Sequence, residues 1–137
     1  VHMVSKEPVP DVPGVVGHYG LTANSPGLVA LTQRCDLFAL PTRADCSPWV
    51  VVEGQAAGLP GVSTRVGAID ELVEDGVTGL LAPPGDEAEL FDRLDALVAD
   101  GGLRARMGRA ARDRAVARFD LRRNAGRLVE LMYGIAS

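Results

Sequence analysis

The stretch from Asp36 to Glu53, DLFALPTRADCSPWVVVE, constrains the fold more than any other part of the chain. Asp36–Leu40 is short and almost wholly apolar, as expected for a strand covered on both faces. A polar loop follows, and then a second apolar segment that carries an acid. Ser47-Pro48 reads as a helix start: Ser is a good N-cap, and Pro suits the first turn because its missing N–H has no partner there. Gly58-Leu59-Pro60 reads as the stop, with Gly free to take the left-handed cap. Trp49-Val50-Val51-Val52 alone would pass for a buried strand. The cap and the Ala-rich end favour a helix over Ser47–Ala57.

A strand handing over to a helix N-terminus is where α/β proteins bind phosphate-bearing ligands, because free N–H groups and the helix dipole favour an anion. Asp45 precedes that helix and Glu53 sits on its second turn. Two acids beside an anion site repel phosphate and instead accept hydrogen bonds from hydroxyl groups. The arrangement fits a ligand with both a phosphate and sugar hydroxyls.

The remaining segments alternate in the same way. Gly14–Gly20 reads as a short strand, Asn24-Ser25-Pro26 as a helix start with an apolar stripe to Arg34, and Gly61–Thr64 as a strand. Ala68–Val73 reads as a short helix and Gly79–Ala82 as the last strand. Asp86 caps a long helix with Glu87 and Glu89 in its first turn, where negative charge suits the dipole. Its apolar face is Leu90, Phe91, Leu94, Leu97 and Val98. Gly101-Gly102 is expected to break it, Leu103–Arg118 to form a second helix, and Asp120 to cap a third reaching about Tyr133. Strands alternating with helices up to Ala82 predict a doubly wound parallel sheet. Residues 1–85 form the βα core and residues 86–137 the C-terminal helices.

Together, Pro41–Asp45, Glu53, Ala56–Pro60, Val66–Val73 and Asp75–Asp86 resemble the C-terminal, donor-binding domain of retaining glycosyltransferases. These have the GT-B fold and belong to the large group 1 (family 4) set. The family's signature is two acids separated by seven residues, and Asp45 and Glu53 have that spacing. The resemblance runs from about Val15 to the end of the chain, with the motifs in the family's order.

The resemblance implies roles. Glu53 would accept hydrogen bonds from the ribose of a nucleotide; the alternative is a surface acid. Asp45 takes the place of an acid, usually Glu, that contacts the donor sugar, and is one methylene shorter. Its alternative is a loop acid bonding its own backbone. Cys46, Ser47, Pro48 and Trp49 stand where backbone N–H groups meet the diphosphate. Ser47, Trp49 and Val50 can donate, whereas Pro48 cannot. Trp49 reads as a packing residue, with stacking on ligand as the alternative. Thr42 and Arg43 lie at the end of the strand, and Arg43 either neutralises phosphate or is solvated. Leu21 and Thr22 would line the base pocket through their backbone. Gly67 matches a Gly-Gly loop whose second member is here Ala68. His2 and His18 read as core or edge packing.

The resemblance also implies a metal-independent hexosyl transfer from a nucleotide diphosphate sugar, with no cofactor. The main catalytic contribution would be electrostatic stabilisation of the leaving diphosphate. An acceptor-binding N-terminal domain and a basic Arg/Lys segment belong upstream of Val1, so the chain reads as a fragment, inactive alone. Losing the first strand of a 3-2-1-4-5-6 sheet leaves open edges. These edges predict a rearranged strand order or a homodimer. Two other readings stay open: a non-catalytic nucleotide- or sugar-phosphate-binding module, and an α/β domain that dimerises through its edges.

Charge and composition exclude other classes. A net charge of −4 argues against broad nucleic-acid binding. The arginines after Leu103 read as a solvated helix face, since no aromatics are interleaved, with a nucleic-acid or anionic-membrane surface as the alternative. Leu128, Leu131, Met132 and Ile135 read as an apolar stripe lacking its natural cover. No apolar run approaches the roughly 20 residues needed to span a bilayer. Cys35 and Cys46 lack metal spacing and read as thiols of a reducing, cytoplasmic compartment.

Overall fold

The strand pairs of the described residues are parallel, a pairing that requires the long connections found between these strands. The computed structural model describes residues 1–135. It divides into two units, Val1–Arg34 and a second that begins at Cys35. The strands of the described residues form two parallel ladders, one in each unit, in the α/β class that the alternation of strands and helices predicts.

In the first unit, β1 (His2–Val4) pairs with β2 (Val16–His18), and α1 (Pro26–Thr32) follows. Ser25 caps α1 by accepting the Leu28 N–H at 3.3 Å, with Pro26 in the first turn, as the sequence predicts. His2 Nδ1 and His18 Nε2 lie 2.9 Å apart and link the two strands side chain to side chain. No residue of this unit is fully buried.

The second unit contains β3 (Phe38–Leu40), α2 (Trp49–Ala56), β4 (Gly61–Thr64), α3 (Ile69–Leu72), β5 (Gly79–Ala82), α4 (Glu87–Ala99), α5 (Gly101–Phe119) and α6 (Leu121–Ile135). Its sheet has the order β3-β4-β5, and β4 and β5 are buried throughout. Because successive strand residues face opposite sides, the sheet supplies two cores. Val51, Val52, Ile69, Leu72, Val73 and Leu81 form one, under α2 and α3. Val62, Leu80, Leu97 and Met107 form the other, under α4 and α5.

Three local expectations are corrected. Helix α2 begins at Trp49, with Pro48 extended at the cap position and no side-chain cap bond from Ser47. Gly101-Gly102 does not break the helix but forms the first turn of α5, because the Asp100 carboxylate accepts the Leu103 N–H at 2.9 Å. That bond, opposed by desolvation and helped by Gly102, Arg106 and Arg104, holds the Asp100 carboxyl below its ordinary value. A lowered folded value stabilises the cap above the unfolded pKa of 3.8, and the contribution is lost as pH falls through the lower folded value. The apolar face of α4 is narrower than its periodicity implies. Leu97 is buried, whereas Phe91 and Val98 are 67% and 63% exposed.

Several of the arginines are not merely solvated; they satisfy carbonyls left over at helix ends. Arg104 donates to the carbonyls of Leu97 and Val98 at 2.6 and 2.8 Å, closing α4. Arg112 donates to Ala56 O at 2.5 Å, closing α2. Arg114 donates to Glu71 O at 2.8 Å and Leu72 O at 3.3 Å, closing α3. Along α6 the side chains through Gly134 are exposed, including Leu128, Leu131 and Met132, as the stripe predicts. The side chain of Ile135 lies outside the described residues. Among the described residues no helix is long and apolar enough to cross a membrane.

Gln55 is 1% exposed, and its Oε1 has no hydrogen-bond partner while its Nε2 donates to Leu72 O at 2.9 Å. An unsatisfied buried acceptor is costly, and Leu72 O keeps Arg114 as a donor if Gln55 is lost. Gln55→Met is therefore expected to stabilise the chain by about 1 kcal/mol, read as a raised urea midpoint at unchanged m-value.

Candidate functional site

The site is built where β3 and β4 end. The β3–β4 ladder closes at Leu40↔Ser63, and the chain then leaves β3 through the loop 41–48. Within this loop the Thr42 hydroxyl donates to Ala44 O at 3.0 Å and accepts the Ala44 N–H at 3.3 Å. Asp45 is half-buried, and its Oδ1 accepts the Ser47 N–H at 3.2 Å. This is the local backbone bond that Asp favours in turns. It leaves the second carboxylate oxygen without a partner among the described residues. Cys46 is exposed and forms no disulfide.

The extended Pro48 sets the start of α2. The Val51 N–H turns back to Pro48 O at 3.0 Å, while the N–H groups of Trp49 and Val50 have no acceptor among the described residues. These are the orphan donors of a helix N-terminus, and the dipole adds partial positive charge there. One turn on, Glu53 is half-buried, and its carboxylate makes no hydrogen bond or ion pair with any described residue. Trp49 is 65% exposed and rests edge-on against Phe119, with centroids 6.4 Å apart, so the structure shows its packing contact.

The loop after β4 closes the site from the other side. The Ala68 N–H donates to Cys46 O at 3.1 Å. Gly67 has φ +52, and a Cβ there would fall less than 3.0 Å from Asp45 O and 3.1 Å from Cys46 O. Glycine is required on both counts: the left-handed conformation and the closeness of the two backbones. Arg43 pairs with Glu87 at 3.7 Å, with both side chains over four-fifths exposed, an ion pair of little energetic weight. A shallow cavity of about 130 Å³ beside it is lined by Thr42, Arg43, Thr64 and Glu87, among others.

Of the candidates read from sequence, Thr42, Arg43, Asp45, Cys46, Ser47, Trp49, Val50, Glu53 and Gly67 thus fall on one loop, one helix start and the loop packed on them. Leu21 and Thr22 belong to the first unit, where Leu21 is half-buried and Thr22 O accepts the Ser25 N–H at 3.0 Å. Sequence reasoning gave no role to Thr64, and noted Ala68 only as the partner of Gly67. The only signal for Thr64 was a pair of hydroxyl residues, Ser63-Thr64, ending a buried strand. Among the described residues no group of three or more His, Cys, Asp or Glu is placed to hold a metal ion. Chemically, the site offers N–H donors for an anion and two acids for hydroxyl groups.

Comparison with known proteins bears on this geometry. The profile of the family described as "Glycosyl transferases group 1" matches residues 17–114. D-inositol 3-phosphate glycosyltransferase of Arthrobacter sp. (strain FB24) is 38% identical over 97 residues, covering 71% of this chain and 23% of that protein. Glycogen synthase of Mycobacterium tuberculosis is 35% identical over 105 residues, covering 77% of this chain and 24% of that protein. The chain therefore spans about a quarter of the length of these curated relatives. Among solved structures, HepE of Anabaena in complex with UDP superposes with a TM-score of 0.77 at 27% identity. It covers 88% of this chain and 32% of that one. The same protein with UDP-glucose gives a TM-score of 0.78.

Proposed function

The chain belongs to the group 1 glycosyl transferases, and we propose that it is the donor-binding part of a retaining, family 4 enzyme of that group. Its ligand is a nucleotide diphosphate sugar, for which the UDP and UDP-glucose complexes of HepE are the supporting precedent. The observation that carries this reading is the pair of unpartnered N–H groups at Trp49 and Val50, standing between Asp45 and Glu53. The N–H groups and the α2 dipole meet the diphosphate charge, which suits a transfer that uses no metal. Glu53, with both carboxylate oxygens open, takes the ribose hydroxyls. Asp45, with one oxygen tied to Ser47, offers the other to the sugar.

The sugar leaves the diphosphate for an acceptor with its anomeric configuration retained. Acceptor binding belongs to a longer parent protein, so the 137-residue chain alone binds donor without turning it over. Calorimetric titration with UDP-, GDP- and ADP-glucose tests the reading. Saturable one-to-one binding with a preference for one base is expected. An absence of heat with all three would contradict it.

A further inference from the structure

We propose that Thr64 is a positioning residue for this donor site: its hydroxyl fixes where the loop 41–48 sits on the sheet. The inference rests on the donor-site reading above and names what holds that site in place. The β3–β4 ladder ends one residue before Thr64 on its own strand, so backbone pairing stops short of the loop. Two side chains of β4 reinforce the attachment, one at the last rung and one past it. Ser63 Oγ donates to Leu40 O at 2.8 Å, and Thr64 Oγ1 donates to Thr42 O. Both residues are buried, at 2% and 5% exposure, and the carbonyls they reach belong to half-buried residues, so these bonds are partly shielded from water.

The other bonds of the loop are of a different kind. Thr42 to Ala44 and Asp45 to Ser47 join residues two apart. Such bonds set the loop's shape but not its place. Among the described residues its place is set by Thr64 on Thr42 at the entrance and by the Gly67-Ala68 backbone on Asp45-Cys46 further along, while the solvent-exposed Arg43–Glu87 ion pair adds little. Removing the Thr64 hydroxyl leaves Thr42 O without that donor and frees the entrance to shift. A displacement there is carried to Asp45 and to the N–H groups of Trp49 and Val50. Positioning at this scale controls how well convergent groups meet a ligand.

Thr64→Val keeps the shape and removes the donor, whereas Thr64→Ser keeps the donor. The valine variant is expected to bind UDP-glucose about tenfold more weakly, and the serine variant within about twofold of the wild type. Amide NMR order parameters over Ala44–Ser47 should fall from about 0.85 to below about 0.6 in the valine variant, with β5 and α4 unchanged. A serine variant as weak as the valine one, or loop order parameters that Thr64→Val does not move, would overturn the role of Thr64 alone. Failure of the wild-type chain to bind UDP-glucose would overturn the donor-site reading beneath it.

Discussion

Alanine at position 67 is expected to weaken UDP-sugar binding about a hundredfold, or ~2.8 kcal/mol. Gly67 holds φ +52, which costs an L-residue roughly 1–2 kcal/mol. The larger effect is steric. The new Cβ would press on the carbonyl oxygens of Asp45 and Cys46, which are backbone atoms and cannot rotate aside. The collision is relieved only by separating the two loops, which moves Asp45 and breaks the bond from Ala68 to Cys46. Gly67→Asn separates the two causes, since Asn tolerates the left-handed conformation but still carries a Cβ. It should fail nearly as badly. Calorimetry on both variants, with circular dichroism to verify folding, checks this. Wild-type affinity in Gly67→Ala would show that the close approach does not matter.

Gly108→Ala is expected to give the largest loss of stability, about 3 kcal/mol. Gly108 is buried in α5 where that helix crosses the end of α2. A Cβ there would fall less than 3.0 Å from Gly58 O and 3.5 Å from the Pro60 ring. Ala is otherwise the better helix former by about 1 kcal/mol, so propensity opposes the predicted sign and the outcome separates packing from propensity. Separating the helices would also loosen Arg112 from Ala56 O. A thermal midpoint lowered by about 10 °C is expected. An unchanged or raised midpoint would mean that α5 does not pack this closely on α2.

What sequence revealed and what it hid divide along a physical line. Caps were legible where a carboxylate or hydroxyl reaches its own helix: Ser25, Asp86 and Asp120 all accept the N–H three residues on. The cap at Ser47 was misread because Asp45 takes the Ser47 N–H and Pro48 turns the chain extended. Asp100, not the glycine pair after it, marks the junction of α4 and α5. β4 and β5 matched their expected bounds because each is a short run set off by Gly, Pro or Thr.

Non-local partners were not legible. Nothing in the sequence says that Arg112 and Arg114 close α2 and α3, because their acceptors are main-chain carbonyls more than forty residues away. For the same reason Thr64 drew no notice although it holds Thr42. The candidate site was legible as far as it is contiguous, from Thr42 to Glu53. The part of it made by packing against Gly67 and Ala68 was partly legible, through the glycine alone.

The central claim is that a nucleotide-sugar seats at the start of α2, between Asp45 and Glu53. Amide chemical-shift mapping of the chain during titration with UDP-glucose tests it most directly. The largest shifts should fall on Ser47, Trp49, Val50 and Gly67, with α4 and α6 silent. Saturable shifts centred on other elements, or none at all, would contradict it.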